Sequence, residues 1–597
     1  MALVEEKVSK LELDDTVLLI CTIEAAHNLK DHTEYVIRVQ KGPIPENSWT
    51  VLRRYSQFVN LENELRIAGI GLPLPPKKIL GKMDREFIAE RQQGLQDFLD
   101  AVLKHHMLAI SKPVRIFLDE ANFAANLQET ALRHISMFFR SESHWEVVEP
   151  LPDIGWRIRK KYFLIKDKRQ AREKYLLSWS QLGPDKQLSE KDLDLCMKTF
   201  SSFQHPYLCP VKFASCNDTC GITIRQYYMQ GTLRDYICKS KPRQPFLKKY
   251  ASPKYYQMLP FSDIQRYGRQ LLEILKYLHS KGYYYGHMHA GNVIIDGDNN
   301  CQLLDLENII LGLPSYYRAH LTQYRKIQSL ESVDVYCFGQ LLYEMTFGRS
   351  LNVATCDVYP YHCPPELRSV LESVLTTEAC KNGLPSVNDL LQHQLFQSVI
   401  PHPIMDTVHI KIPARLKQPL KEAFLIVTRH LHVEQKLIHH YQRVSKAQAY
   451  HMSDEEKRKR RRSKRKQLLE RQQSTEVPTI NGNSHNTSTD SHNSSISGQI
   501  VNNVSPDITP DSQNISVDSH NAGIESHDTS ADNCDVSSDS GDISTRSSNF
   551  SQVNGASDAS SHDADISGSE ISDPGERHAL LHSITGFSSF DHRVQSG

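Results

Sequence analysis

The sequence lacks any unbroken apolar run of the roughly 18 residues that a membrane-spanning helix needs. Its first residues, MALVEEKVSKLELDD, also lack the basic-then-apolar order of a secretion signal. Both absences argue against an integral membrane protein and against a secreted one. They predict a chain that stays in the cytosol.

Paired cysteines are also absent, because the 12 cysteines are scattered and none forms a CxxC pair. Cytosolic thiols of this kind are expected to stay reduced. One group, His205, Cys209, Cys216 and Cys220, has ligand types that zinc accepts. Its spacing matches no familiar zinc finger, and the surrounding segment alternates like two strands joined at an Asn-Asp turn. The pattern favours buried structural thiols, and we expect no metal site.

The sequence has no net charge, but the two signs are unevenly distributed. A dense basic cluster spans residues 457–466, and the Ser- and Asp-rich stretch beyond residue 480 is acidic. At 597 residues the chain is too long for one hydrophobic core, and ordinary domain sizes suggest roughly two to four units.

Changes in composition divide the chain into five segments. The first is an α+β block at 14–122 with a helix over about 85–108. The second is a block at 146–399 that turns helical after residue 260 and has its clearest helix over 263–281. A basic helical arm at 413–473, a Ser-, Asn- and Asp-rich region at 474–575 and a tail at 576–597 follow. The fourth segment has too little apolar sequence to offset chain entropy, so we expect it to be disordered.

The first block carries cations in positions that suit an anion. Arg53 and Arg54 precede Tyr55 at the end of a predicted strand, where a guanidinium can hold a phosphate with two parallel hydrogen bonds. Arg91 falls on the same inward stripe of its helix as apolar residues, and a charge on an apolar face needs a partner. The alternative is that Arg91 pairs with a buried carboxylate and that Arg53 and Arg54 are ordinary solvated residues.

Three segments, RRYSQF, LPLPPKK and FIAERQQGLQDFL, together resemble the PX (phox-homology) domain, many members of which bind phosphatidylinositol 3-phosphate. The resemblance implies that Arg54 grips the 3-phosphate and that the ring of Tyr55 lies under the inositol. Lys77 or Lys78 would meet the 1-phosphate. Arg91 would hydrogen-bond the 4- and 5-hydroxyls, which disfavours lipids phosphorylated there.

An apolar tip is predicted between these lysines and the following helix. It consists of Ile79, Leu80 and Met83, next to the cations of the same loop. Such a tip can enter the lipid interface.

The second block resembles the protein kinases in several motifs that occur in the expected order. The segment YYYGHMHAGNVIIDGDNNCQLLDLEN is similar to the catalytic loop and metal-binding strand, SVDVYCFGQLLYEMTFG to the central buried helix, and YYMQGTLRDYI to the hinge. The fold class is therefore multidomain, with an α+β PX-like domain, a two-lobed kinase-like α+β domain, a basic helical arm and a long disordered C-terminal region.

The groups that carry phosphoryl transfer depart from the kinase pattern. His287 occupies the place of the catalytic aspartate, five residues before Asn292, and Glu307 replaces a glycine after Asp305. Gly155 stands alone where a glycine-rich loop is expected, and YLLSWSQLGPD contains no lysine for the phosphates. We predict a pseudokinase with no catalytic residue and no cofactor.

Two alternatives stay open for this block. Asn292 and Asp305 either persist as loop-stabilising hydrogen-bond partners or retain nucleotide or metal binding. A histidine can in principle accept a proton, so the competing hypothesis is an atypical active Ser/Thr protein kinase targeted to endosomal membranes.

The basic arm and the tail suggest further partners. The run KRKRRRSKRK suits a nuclear localisation signal, a nucleic-acid patch, a lipid clamp or a solvated linker. Because a lipid-binding domain is predicted on the same chain, lipid or linker is favoured. No aromatics interleave with the run as in a base-stacking surface, so nucleic acid is not expected. The tail residues Leu580, Leu581, Ile584 and Phe587 resemble the amphipathic half of the WH2 motif, which implies binding to monomeric actin.

The order of these segments resembles the PX-domain-containing protein kinase-like family, the modulators of Na,K-ATPase. That resemblance implies binding to Na,K-ATPase β subunits, an influence on receptor internalisation, and a peripheral location on endosomal and plasma membranes. The predicted function is a phosphoinositide-recruited adaptor of membrane trafficking and signalling.

Overall fold

The computed structural model of the chain describes residues 14, 16–77, 85–399 and 408–473, which belong to one compact unit, Met1–Asn481. The predictions for Lys78, Ile79, Leu80, Met83, the 474–575 region and the 576–597 tail fall outside the described residues. None of the described helices is long and apolar enough to cross a membrane.

The N-terminal domain pairs a three-stranded antiparallel sheet with helices. Its elements are β1 (Leu19–Asn28), β2 (Thr33–Lys41), β3 (Ser48–Arg54), α1 (Tyr55–Leu65), α2 (Arg85–Lys104), α3 (His106–Ala109), α4 (Lys112–Leu118) and α5 (Glu120–Phe123). The side chains of β1 alternate between buried and exposed, as expected of a half-buried strand. The long helix α2 ends at Lys104 rather than at the predicted residue 108, because His105 is extended and starts the short α3.

A five-stranded antiparallel sheet begins the second domain. The elements are α6 (Leu127–Ser141), β4 (Trp145–Leu151), β5 (Lys160–Asp167), β6 (Gln170–Gln181), α7 (Glu190–Thr199), β7 (Val211–Cys216) and β8 (Cys220–Gln226). The strand order is β4-β5-β6-β8-β7, so the hairpin of β4 and β5 lies on one side of β6. Arg225 on β8 pairs in register with Leu176 on β6.

The rest of the second domain is mainly helical. Its elements are α8 (Leu233–Ile237), α9 (Phe246–Tyr250), α10 (Phe261–Ser280), β9 (Val293–Ile295), β10 (Cys301–Leu303), α11 (Arg318–Leu321), α12 (Leu330–Phe347), α13 (Pro365–Leu375), α14 (Thr377–Asn382), α15 (Val387–Leu391) and α16 (Gln394–Gln397). Helix α10 buries an apolar stripe, and α12 is buried nearly all round, as a central helix must be.

A helix of 60 residues, α17 (Ala414–Gln473), covers one side of the second domain with its first turns. Leu416, Leu420 and Phe424 are buried in the domain's core. The buried amide of Gln435 donates to the carbonyl oxygens of Leu321, Tyr324 and Ile327 at 2.9–3.0 Å.

The two folded domains share apolar contacts. Met107 and Ile110, in the segment around α3, belong to the core cluster of the second domain. Leu247 and Ala251, in and after α9, pack against both cores. The ring of His106 lies edge-on to Tyr316, with the centroids 5.1 Å apart. The N-terminal domain therefore packs against the kinase-like domain.

Candidate functional site

Arg54 occupies the junction between β3 and α1. Its extended backbone precedes the first turn of α1, and its N–H donates to Gln57 Oε1 at 2.8 Å. The side chain is 51% exposed, and its Nε donates to Glu34 Oε1 at 3.2 Å. Because an exposed ion pair is weak, an anionic ligand can replace Glu34 as the partner of this guanidinium.

The neighbouring Arg53 has a different environment. Successive residues of a strand point to opposite faces, and the Arg53 side chain is only 12% exposed. Its Nε donates to the carbonyl oxygen of Phe117 at 2.8 Å, and its charge lies 3.6 Å from Glu120. Arg53 therefore joins β3 to the end of α4 and is not open to a ligand.

Arg91 is buried, and two aromatic rings sandwich its guanidinium. The central carbon lies 4.3 Å from the ring centroid of Tyr55 and 4.2 Å from that of Phe87. One terminal nitrogen donates to the carbonyl oxygen of Pro76 at 3.3 Å. No carboxylate of the described residues pairs with Arg91, whose Nε has no hydrogen-bond partner among them. Sequence reasoning missed Phe87, although its spacing from Arg91 is that of helix neighbours.

The proline segment completes the candidate head-group site. The Tyr55 hydroxyl donates to the carbonyl oxygen of Pro75 at 2.6 Å, so Tyr55, Arg91 and the prolines lie together. Lys77 follows directly and is exposed. Tyr55 and Arg91 are thus in contact, and Arg54 and Lys77 are next to this pair and the prolines along the chain. Lys78 and the apolar tip lie outside the described residues.

His287 lies buried in the loop that corresponds to the kinase catalytic loop. Asn292 Nδ2 donates to the His287 carbonyl oxygen at 3.1 Å. A terminal nitrogen of Arg157 lies 3.3 Å from His287 Nδ1. A guanidinium can only donate, so this ring nitrogen accepts. Burial, and then the Arg157 charge, hold the pKa of His287 well below its usual value. The imidazole is therefore neutral, and its Nδ1 lone pair is occupied.

The loop between β4 and β5 stands where kinases place their glycine-rich loop. Arg157 of this loop also donates to the carbonyl oxygen of Pro314 at 2.7 Å and stacks on Trp156 at 4.2 Å. A Cβ on Gly155 would lie 2.7 Å from the ring of Tyr162. Packing against this tyrosine accounts for Gly155, while Arg157 fills space beside the catalytic loop.

A lysine that sequence reasoning did not single out, Lys160, lies in the cleft. Strand β6 carries no lysine over residues 175–181, as the sequence indicates, but Lys160 on the preceding strand β5 reaches the carboxylate of Asp305. Its Nζ donates to Asp305 Oδ2 at 2.6 Å and to Asn308 Oδ1 at 3.0 Å. Sequence reasoning missed this residue because it assigned the segment to the glycine-loop region, yet a lysine beside the apolar run YFLI was a signal.

Asp305 and Glu307 form a buried network with two cations. Arg225 donates to Glu307 Oε1 at 3.2 Å and makes a shorter second contact with Oε2, and it lies 3.6 Å from Asp305 Oδ1. Lys160 also lies 3.6 Å from Glu307. Burial alone would raise the pKa of each carboxyl, but the two cations outweigh it and hold both pKa values below the usual range. Both carboxylates are therefore ionised and compensated.

The remaining cavity in the cleft is small. It has a volume of about 130 Å³ and is lined by residues that include Tyr162, Asn292 and Asp305. Small-molecule pockets usually measure about 300–1,000 Å³. No three His, Cys, Asp or Glu side chains of the described residues come together as a metal site. Asn292 and Asp305 face the same cavity, and both oxygens of Asp305 already lie near cations.

Known proteins share both parts of this architecture. Residues 43–121 match the PX domain family model. A PX domain-containing protein kinase-like protein of Rattus norvegicus is 52% identical over 441 residues, covering 74% of this chain and 76% of that protein. The Slowpoke-binding protein of Drosophila melanogaster is 33% identical over 282 residues, or 43% of this chain and 53% of that protein. A Dictyostelium discoideum protein named probable inactive serine/threonine-protein kinase slob1 is 33% identical, covering 36% and 41%.

Proposed function

Because the chain belongs to the family of PX domain-containing protein kinase-like proteins, we propose that it is a phosphoinositide-recruited adaptor of membrane trafficking and signalling that does not transfer phosphate. The chain carries a PX domain followed by a kinase-like region, and one of its relatives is named a probable inactive kinase. The adaptor role combines recruitment by the first domain with partner binding by the second.

The observation that carries this proposal is the environment of Asp305. In an active kinase this position must offer its oxygens to a metal ion. Here Lys160 and Arg225 face those oxygens, and the four buried charges compensate one another. A divalent cation would add charge to a site whose carboxylates already have partners, so its binding is disfavoured. The neutral, hydrogen-bonded His287 provides no free base at Nδ1.

The head-group site supports the lipid part of the proposal. Phosphatidylinositol 3-phosphate would exchange the exposed Arg54–Glu34 contact for a charge-assisted bidentate one. Tyr55 would lie under the inositol ring, Arg91 would hydrogen-bond the 4- and 5-hydroxyls, and Lys77 or Lys78 would meet the 1-phosphate. In this proposal the tip formed by Ile79, Leu80 and Met83 enters the bilayer, placing the protein on endosomal and plasma membranes.

Co-sedimentation of the whole chain with vesicles tests the lipid proposal. Vesicles with phosphatidylinositol 3-phosphate should retain the protein, and vesicles with the 4-phosphate or with phosphatidylserine at equal charge should retain much less. Equal retention by all three would show that charge alone, including the basic arm, drives binding. That result would reject a specific head-group site.

A second candidate function is an atypical active Ser/Thr kinase, and one observation favours it. Lys160, Asn292 and Asp305 lie around the same cleft, so an ammonium, an amide and a carboxylate are present where a nucleotide would bind. Thermal unfolding with and without ATP and Mg²⁺ separates the two candidates. The adaptor predicts no shift in the melting temperature. A metal-dependent rise that Asp305→Asn abolishes would favour the kinase.

Protein partners complete the proposal. The Drosophila relative is named for binding Slowpoke, which supports a partner-binding role for the region shared with this chain. We extend the role to Na,K-ATPase β subunits and, through Leu580, Leu581, Ile584 and Phe587, to monomeric actin. Fluorescence anisotropy of a 572–597 peptide with monomeric actin tests the last point, and a peptide with Leu580→Asp and Ile584→Asp is its control.

A further inference from the structure

A groove runs between the end of α10, the start of α12 and the first turns of α17. Its volume is about 880 Å³, several times that of the cavity lined by Tyr162, Asn292 and Asp305. The extended segment before α17 forms one wall. Its lining shares no residue with the head-group site or with the cavity at Asp305, and neither part of the proposed function uses it.

The rim of the groove is strongly basic. Four exposed lysines border it, Lys281, Lys411, Lys417 and Lys421, and no aspartate or glutamate lines it among the described residues. None of the four forms an ion pair with a carboxylate of the described chain; Lys281 lies over the ring of Tyr277. Uncompensated charge of one sign around a concave surface attracts a ligand of the opposite sign.

The floor of the groove is apolar. Leu330, Ile412 and Leu420 are buried beneath it, while Leu425 is 56% exposed at its wall. Phe424 is buried, and Tyr283 and Tyr284 pack against it in T-shaped geometry with centroids 5.5 and 5.6 Å away. Leu425 is therefore the most open apolar side chain of the described lining.

We propose that this groove binds an acidic peptide segment of a partner protein, with apolar side chains between its carboxylates. The carboxylates would pair with the lysines, and the apolar side chains would cover Leu425 and the floor. The backbone N–H of Lys411 makes no backbone hydrogen bond to other described residues and can bond to an extended peptide. A recessed floor suits inserted side chains better than a flat membrane surface. This surface would supply the adaptor with a partner site independent of lipid.

Fluorescence anisotropy with the full chain tests the proposal at about 0.15 M salt, where weak surface attraction is screened. The probe is a short labelled peptide in which Glu and Asp alternate with Leu and Phe. Lys417→Glu with Lys421→Glu should weaken binding by at least about tenfold, as should Leu425→Asp. Arg461→Glu with Arg465→Glu, at the same spacing in the basic run of the same helix, should change it less than about twofold.

Three results would overturn the inference. They are no binding of the acidic peptide, equal losses in the two double variants, and equal binding of a control peptide with Ser in place of Leu and Phe. Loss of phosphatidylserine-vesicle binding in the Lys417 and Lys421 variant, without loss of peptide binding, would assign the groove to a membrane instead. Unchanged melting temperatures exclude misfolding, and retained binding to 3-phosphate vesicles separates this test from that of the lipid proposal.

Discussion

Lys160 is the residue on which the electrostatics of the cleft depend most. Its side chain is completely buried, and it compensates two buried carboxylates together with Arg225. Lys160→Ala leaves Asp305 and Glu307 with one cation between them, and removal of one partner from a buried network costs roughly 3–5 kcal/mol.

The matched control is Lys166→Ala on the same strand. Lys166 pairs with Glu146 at 3.3 Å, but both side chains are well exposed, so the expected loss is below about 1 kcal/mol. Urea unfolding at neutral pH measures both variants. Equal losses would contradict the account of the network.

Arg53 and Arg54 offer a second matched pair. Arg54→Gln should abolish most binding to phosphatidylinositol 3-phosphate vesicles while leaving stability within about 0.5 kcal/mol, because its side chain is half exposed. Arg53→Gln should instead destabilise the PX domain by about 1–3 kcal/mol, since the carbonyl of Phe117 loses its donor. Vesicle sedimentation and urea unfolding distinguish the two. An Arg54→Gln variant that folds and still binds would reject the site assignment.

The buried His205 and the half-buried His320 predict a loss of stability in mild acid. Burial lowers the pKa of His205 and of His320 to about 4. Since the unfolded state has the higher pKa, near 6.5, it binds more protons below that pH. Stability is therefore complete above about pH 6.5 and is lost as the pH falls toward 4, by up to about 1.4 kcal/mol per pH unit for each histidine.

Urea unfolding at several pH values between 7 and 5 checks this slope. His320→Gln should show a shallower decline than the wild type, because one of the two histidines with a lowered pKa is gone. His362→Gln, at an exposed position, should decline as the wild type does. Identical slopes for all three proteins would contradict the assignment of neutral histidines.

Sequence patterns predicted residues that belong to short motifs. They missed residues whose contacts join positions far apart in the sequence. The positions of Arg54, Arg91 and His287 follow from motifs within short segments. Lys160 was missed because its segment was assigned to the glycine-loop region and its partner Asp305 lies 145 residues further along the chain. Arg157 was missed for the same reason, since its contact with His287 joins residues 130 apart.

At the scale of elements, α17 acts as a structural part of the kinase-like domain. Leu416, Leu420, Phe424 and Leu431 on its first turns are buried in that domain's core. Helix-favouring composition predicted an extended helix or a partly ordered arm here. It could not show where the helix docks, because the surface that it covers comes from distant segments. Its boundary with the preceding residues also depends on packing rather than on intrinsic helix propensity.

Truncation tests the role of α17. A chain ending at residue 412 lacks these apolar side chains and exposes the surface that they cover. It should melt at a much lower temperature or aggregate, because burial of a leucine or phenylalanine contributes about 1.5–3 kcal/mol. A chain ending at residue 450 keeps the docked turns and should melt close to the full-length protein. Equal melting of both truncations would show that the docked turns do not stabilise the domain.

At the scale of the whole molecule, the PX domain and the kinase-like domain are packed against each other. Met107 and Ile110 from the first domain lie in the core of the second, and His106 contacts Tyr316. Fragments cut near residue 125 would expose this surface, so function is best measured on the whole chain. The motifs predicted both folds. They could not predict how the two domains pack together, because Met107, Ile110 and His106, which make the contact, belong to no recognised motif.

Phosphate transfer by vesicle-bound, full-length protein supplied with ATP and Mg²⁺ tests the central claim most directly. The account predicts incorporation no greater than that of a matched Asp305→Asn variant, because Lys160 and Arg225 compensate Asp305 and His287 offers no free base at Nδ1. Metal-dependent transfer above that background, lost in Asp305→Asn while vesicle binding persists, would contradict the account and identify an active kinase.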